Sequence, residues 1–173
     1  MGAAQPTVFA YDTDGQRVQT TYPDGTIIYT PFPDYEVEDL PGSGANTVRV
    51  PYRFAGQVVA VQTRVGAAAG TFYYTYSDHL GNVAALSSKA GALTVGSLAR
   101  YDPLGNFRTT PTTNPGTTNH GFTGHRHNNT GTYPTQNVGL IYMNARYYLP
   151  EVGRFISADT IVPELKQSAS RLT

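Results

Sequence analysis

"RYDPLGNFR", Arg100 to Arg108, holds a strand end, a reversal and a strand start in one short run. Tyr101 suits the end of a strand, where its ring packs on a neighbour. Asp102 can accept hydrogen bonds from the backbone of its own turn, and Gly105 supplies the positive φ that lets the chain reverse. The skeleton recurs. "DHLGN" (Asp78 to Asn82) repeats Asp-x-Leu-Gly-Asn with Asp78 and Gly81. "YDTDG" (Tyr11 to Gly15) repeats Tyr-Asp-x-x-Gly with Asp12 and Gly15. A unit of this kind cannot bury its own face, so it must stack on the units beside it.

Working outward, short alternating runs recur, each closed by a turn signal. "QRVQTTY" meets "PDG", "TIIYTPF" meets "PDYEVEDLPGSG", and "TFYYTYS" meets "DHLGN". "NTVRVPYRF" and "QVVAVQTRV" flank Ala55-Gly56, which reads as a tight hairpin. The expected fold is all-β, antiparallel hairpins in a twisted ribbon or partly wrapped sheet. Residues 106–139 are rich in Thr, Asn, Pro and Gly and read as loops around a brief "GFTGH". "VPELKQSASRL" (162–172) is the one helical candidate, with Pro163 at its first turn.

Composition agrees with β structure and narrows the function. The 173 residues carry 13 Tyr and 7 Phe, and 18 Gly and 12 Pro provide frequent turns. Twelve Lys+Arg balance twelve Asp+Glu, so the basic footprint that nucleic-acid binding needs is missing. No cysteine is present, which excludes disulfides and thiolate metal sites. No apolar run approaches a membrane span, and the start "MGAAQPTVFA" lacks the basic and apolar regions of a signal peptide. No phosphate-binding glycine loop, Gly-x-Ser-x-Gly elbow or His-Glu-x-x-His helix appears, and no cofactor is expected.

With "DHLGN" (78–82), "RYDPLGN" (100–106), "GFTGH" (121–125) and "GLIYMNARYYLPEVGRFISAD" (139–159) laid out, the chain resembles the Rhs/YD-repeat family and its repeat-associated core. The resemblance divides it into degenerate YD-repeat hairpins (1–51), the repeat-associated core (52–160) and a C-terminal tail (161–173). It implies a bacterial, secreted or cell-surface protein whose β-ribbon winds into a hollow shell, with a toxin enclosed in some members. In many members the core is also an aspartyl autoprotease that cuts the toxin free.

That activity needs two carboxylates. Held close together they cannot both ionise, so one keeps a proton while the other activates water. Arg146, Tyr147, Tyr148, Pro150, Gly153, Arg154, Phe155 and Asp159 match the family pattern, but Leu149 stands at the first aspartate. Leucine neither holds nor passes a proton. Thr160 replaces a family proline, and no glycine follows. Self-cleavage is therefore expected to be lost unless a nearby carboxylate such as Glu151 replaces the missing partner. Arg146, Arg154 and Asp159 then read as an ion-pair and turn network, with Gly153 in the turn.

Other constellations weigh less. His125 and His127 would share one face of a strand and could hold a metal, with His120 nearby, but they read more simply as loop histidines. His79 beside Asp78 would point to the opposite face. The tyrosines of "FYYTY" (72–76) and "YMNARYY" (142–148) could stack on a carbohydrate, though cross-strand packing is commoner. Asn128 in "NNT" fits a glycosylation sequon. An open ribbon exposes strand edges, so partners are expected along them: copies of the chain, or a longer Rhs protein. An encapsulated cargo on the inner face is the other binding expectation.

Overall fold

A computed structural model describes residues 6–112, 117–128 and 138–158. The fold is all-β. Eight strands follow one another in a single antiparallel meander: β1 (Val8–Tyr11), β2 (Arg17–Thr21), β3 (Ile27–Phe32), β4 (Tyr35–Asp39), β5 (Thr47–Phe54), β6 (Gln57–Val65), β7 (Thr71–Ser77) and β8 (Val83–Ser88). A two-stranded ribbon follows, β9 (Arg100–Tyr101) with β10 (Phe107–Thr109). After a 3-10 turn at Phe122–Gly124 comes a second antiparallel sheet of β11 (Arg126–His127), β12 (Ile141–Met143), β13 (Arg146–Leu149) and β14 (Arg154–Phe155). The sheets are not closed into a barrel. Asp159, the whole of the expected tail (161–173) and the helical candidate within it (162–172) lie outside the described residues.

One turn design recurs along the meander and the ribbon. The N–H of Asp12, Tyr22, Asp78, Ser88 and Asp102 donates to the carbonyl four residues on, and the glycine between donates back. In three of these turns the aspartate holds the bend itself. Asp78 Oδ1 accepts from the N–H of Leu80 and Asn82, and Asp102 Oδ1 from those of Leu104 and Asn106. Asp12 does the same with Asp14 and Gln16. Gly15, Gly81 and Gly105 have φ of +76°, +79° and +93°, a region that side chains disfavour. Ala55 (φ +49°) and Gly56 (+81°) close the β5–β6 hairpin with two left-handed residues, as its twist requires.

The second sheet packs against the N-terminal end of the meander through aromatic rings. Phe9 of β1 lies 5.0 Å from the Tyr147 ring, and Tyr11 and Tyr147 share a hydroxyl hydrogen bond of 3.0 Å. Val61, Val83, Leu86, Ala99, Ile141 and Tyr142 are buried between the layers. The stretch 106–139, expected as loop, is in part interior. Thr117, Thr118, His120, His127 and Asn128 are buried, and polar partners meet them: Arg53 donates to His120, the Phe122 N–H to His127 and Arg17 to Asn128. Asn128 donates to the Tyr22 hydroxyl and accepts from Arg17, a placement that takes it out of reach as a glycosylation acceptor.

The turns differ in how tightly they are packed. A Cβ on Gly15 would meet open space, whereas one on Gly105 would sit 2.7 Å from the Phe122 ring. Gly15→Ala should therefore cost only left-handed strain, about 1 kcal/mol. Gly105→Ala adds overpacking, for a total of about 3 kcal/mol. Thermal denaturation of the two variants should show the second melting clearly lower.

Candidate functional site

The inner face of the meander carries charge. Glu36 on β4 is buried, and its Oε1 accepts from Arg49 Nη1 of β5 at 2.8 Å. Its Oε2 accepts from Asn119 Nδ2 at 2.7 Å and lies 4.0 Å from Arg126 Nε. Arg49 also pairs with Glu38. Burial pushes the Glu36 carboxyl up, but Arg49 and Arg126 outweigh it and hold the group below the usual carboxylate range. The hub thereby ties β4 and β5 to the stretch around Asn119 and Arg126.

His120 forms the next link. Arg53 Nη2 donates to His120 Nε2 at 3.2 Å, while Arg53 Nε pairs with Asp34 at 2.7 Å. A guanidinium has no acceptor, so His120 Nε2 must be unprotonated and Nδ1 carries the hydrogen toward Thr118 Oγ1 (3.3 Å). Burial, then the charges of Arg126 and Arg53, hold the imidazole well below its ordinary pKa.

Arg17 of β2 is a further cation on this side. Its guanidinium lies 4.3 Å from the centre of the Tyr142 ring and donates to Asn128 Oδ1 at 2.8 Å. Among the described residues no carboxylate pairs with it. Arg17, Arg53 and Arg126 all line a cleft of about 460 Å³. The opposite wall is the 3-10 turn, with Thr123, Gly124 and His125.

The cleft has a cause in the sheet. The pairing of β2 with β3 stops at Gln19–Tyr29, although β2 runs on to Arg17 and β3 to Phe32. The two strands part, and side chains from the second layer bond to backbone at the fork. Tyr142 Oη accepts from the Arg17 N–H at 3.0 Å, and Arg126 Nη2 donates to the Pro33 carbonyl at 2.8 Å. Neither the fork nor the Glu36 hub was found from the sequence. The alternation of Glu36 and Glu38 on one strand with Arg49 on the next was the one available signal.

Of the residues singled out from the sequence, Asp12, Gly81, His120 and His125 line the cleft, and Arg146, Leu149, Arg154 and His127 do not. Leu149 pairs with Arg154 across β13–β14, and Arg146 lies 3.8 Å over the Phe155 ring. His125 and His127 do not act as a pair. His127 Nε2 accepts from the Phe122 N–H at 2.7 Å and its ring packs on Tyr101 and Phe107, while His125 Nδ1 meets Thr123 Oγ1 at 2.8 Å. Among the described residues no group of three His, Asp or Glu side chains converges to hold a metal. In the tyrosine-rich run of β7, Phe72 stacks beside Tyr52 at 5.6 Å and Tyr76 Oη contacts Ser87 Oγ at 3.2 Å.

No family model matches the chain. No curated protein sequence matches it either. Solved structures do. A crystal structure of TcdB2-TccC3-TEV shares the fold with a TM-score of 0.66 at 18% identity, over 89% of this chain and 8% of that one. The Photorhabdus luminescens Tc holotoxin pore carrying the TccC3-D651A mutation gives 0.67 at 16%, over 88% and 7%. TcdB2-TccC3 without its hypervariable C-terminal region gives 0.67 at 15%, over 92% and 8%. The chain thus spans less than a tenth of the length of each of these chains.

The buried neutral His120 has a consequence for stability. Its folded pKa is depressed, so the unfolded chain binds its proton first as pH falls. Stability should hold above about pH 6.5 and drop below it, with this residue contributing about 1.4 kcal/mol per pH unit until the folded form also titrates. Denaturant titrations at several pH values should show a shallower acid decline in His120→Gln.

Proposed function

We propose that the chain is a non-catalytic β-wall module of the Rhs/YD-repeat type, joined to further β-structure through an edge strand. The observation that carries this reading is the meander itself. Eight strands pair strictly in sequence order, one turn design recurs at the β1–β2, β2–β3 and β7–β8 bends, and the covered face is lined with charge pairs. β8 is flanked by the chain's own backbone, where Thr94 donates to Leu86 and Ala99 to Ala84. β1 pairs only with β2 among the described residues and is the natural edge for extension.

The likeness to chains of TcdB2-TccC3 and of the Tc holotoxin pore supports a place in a larger, toxin-associated assembly, at the cell surface or secreted. Among the described residues no helix is long and apolar enough to cross a membrane. Leu149 speaks against an aspartyl autoprotease, since a hydrocarbon side chain occupies the position where the family pattern has an acid.

Two measurements test the reading. Intact mass spectrometry after prolonged incubation should show the full chain; spontaneous loss of a C-terminal peptide, blocked by Asp159→Asn, would reverse the catalytic assignment. Sedimentation velocity should show association that grows with concentration. Val8→Lys with Ala10→Lys, on the exposed edge strand, should abolish it, because charge on an edge opposes pairing. A wild-type chain that stays monomeric at every concentration would remove self-pairing.

A further inference from the structure

The cleft at the β2–β3 fork is more than a packing gap. Its volume of about 460 Å³ falls within the roughly 300–1,000 Å³ of ordinary ligand sites. Its shape comes from two strands that diverge, so it is bounded by extended backbone: Arg17 and Val18 on one side, Thr30, Pro31 and Phe32 on the other. Its charge is lopsided. Arg17, Arg53 and Arg126 line it against a single carboxylate, Asp12. Oδ1 of that carboxylate is already engaged by the N–H groups of its own turn.

The three guanidiniums are unequally compensated. Arg53 has Asp34, and Arg126 has Glu36 at 4.0 Å. Arg17 is buried and held by ring faces and an amide, with no carboxylate paired to it among the described residues. Burial disfavours the charged form of Arg126, and although Glu36 opposes this, the nearby Arg17 and Arg53 charges add to it. An incoming carboxylate would relieve this repulsion, and guanidinium groups recognise carboxylates in a planar, often two-pronged way.

We propose that the fork between β2 and β3 binds an extended peptide segment that places an acidic side chain among Arg17, Arg53 and Arg126. The diverging strands select for extended main chain, and the arginines select for the carboxylate. The exposed Phe32 ring at the rim offers apolar contact to the residue flanking the acid. This site is independent of the β1 edge and stands whether or not the chain assembles into a wall.

The test is fluorescence anisotropy with fluorescein-labelled Thr-Val-Asp-Val-Thr and its Thr-Val-Asn-Val-Thr counterpart, on the intact chain. The aspartate peptide should bind about tenfold or more tightly, and added sodium chloride should weaken it. Arg53→Gln should reduce binding by a similar factor. Gln16→Glu keeps every arginine and adds a negative charge to the cleft wall, so it should weaken binding in a protein whose melting temperature is unchanged. Equal affinity for the two peptides, no binding of either, or Gln16→Glu leaving affinity untouched would overturn the proposal. Sodium sulfate binding as tightly as the peptide would also overturn it, because the cleft would then be a site for a free oxyanion only.

Discussion

Glu36 places a carboxylate inside the fold, and its charge sets terms for everything packed around it. An ionised group removed from water is tolerated only where opposite charge and hydrogen-bond donors surround it. Arg49 supplies these from β5, and Arg126 and Asn119 from segment 117–128. Segment 117–128 is therefore held on the meander by specific polar contacts as well as by apolar burial. His120, neutral between Arg53 and Thr118, extends the same network toward the cleft.

Arginine suits this interior for a physical reason. Its guanidinium is flat and weakly hydrated, so it can lie against a ring face while its edge still donates hydrogen bonds. Arg17 uses Tyr142 in this way inside the fold, and Arg146 uses Phe155 nearer the surface. Tyrosine completes the arrangement, with an apolar ring for packing and a hydroxyl for the backbone. Tyr142 Oη accepts the Arg17 N–H that a neighbouring strand would otherwise take, Tyr101 donates to the Val83 carbonyl and Tyr148 to the Leu104 carbonyl. The cleft exists because side chains from the second sheet satisfy the backbone where β2 and β3 separate.

The matches to TcdB2-TccC3 cover most of this chain and a small part of much longer ones, at identities that carry the fold and no more. A meander held by turn chemistry tolerates such divergence. Its register is set by glycines and aspartates at the bends and by alternation along the strands, and many side chains satisfy both.

The strand-and-turn skeleton is legible in the residue order alone. Asp-x-x-Gly fixes a reversal locally, because the aspartate bonds backbone within four residues and the glycine alone accepts the required φ. Period-two alternation likewise marks strands without reference to distant residues. Which polar residues become interior depends on the packing of the two sheets. Glu36 meets Asn119 across 83 positions and Arg17 meets Tyr142 across 125. Segment 117–128 has loop composition, yet its polar side chains bond to side chains of the meander, and composition cannot tell those partners from water. Pairing of this kind depends on how two sheets are laid together, and no short-range pattern in the chain encodes it.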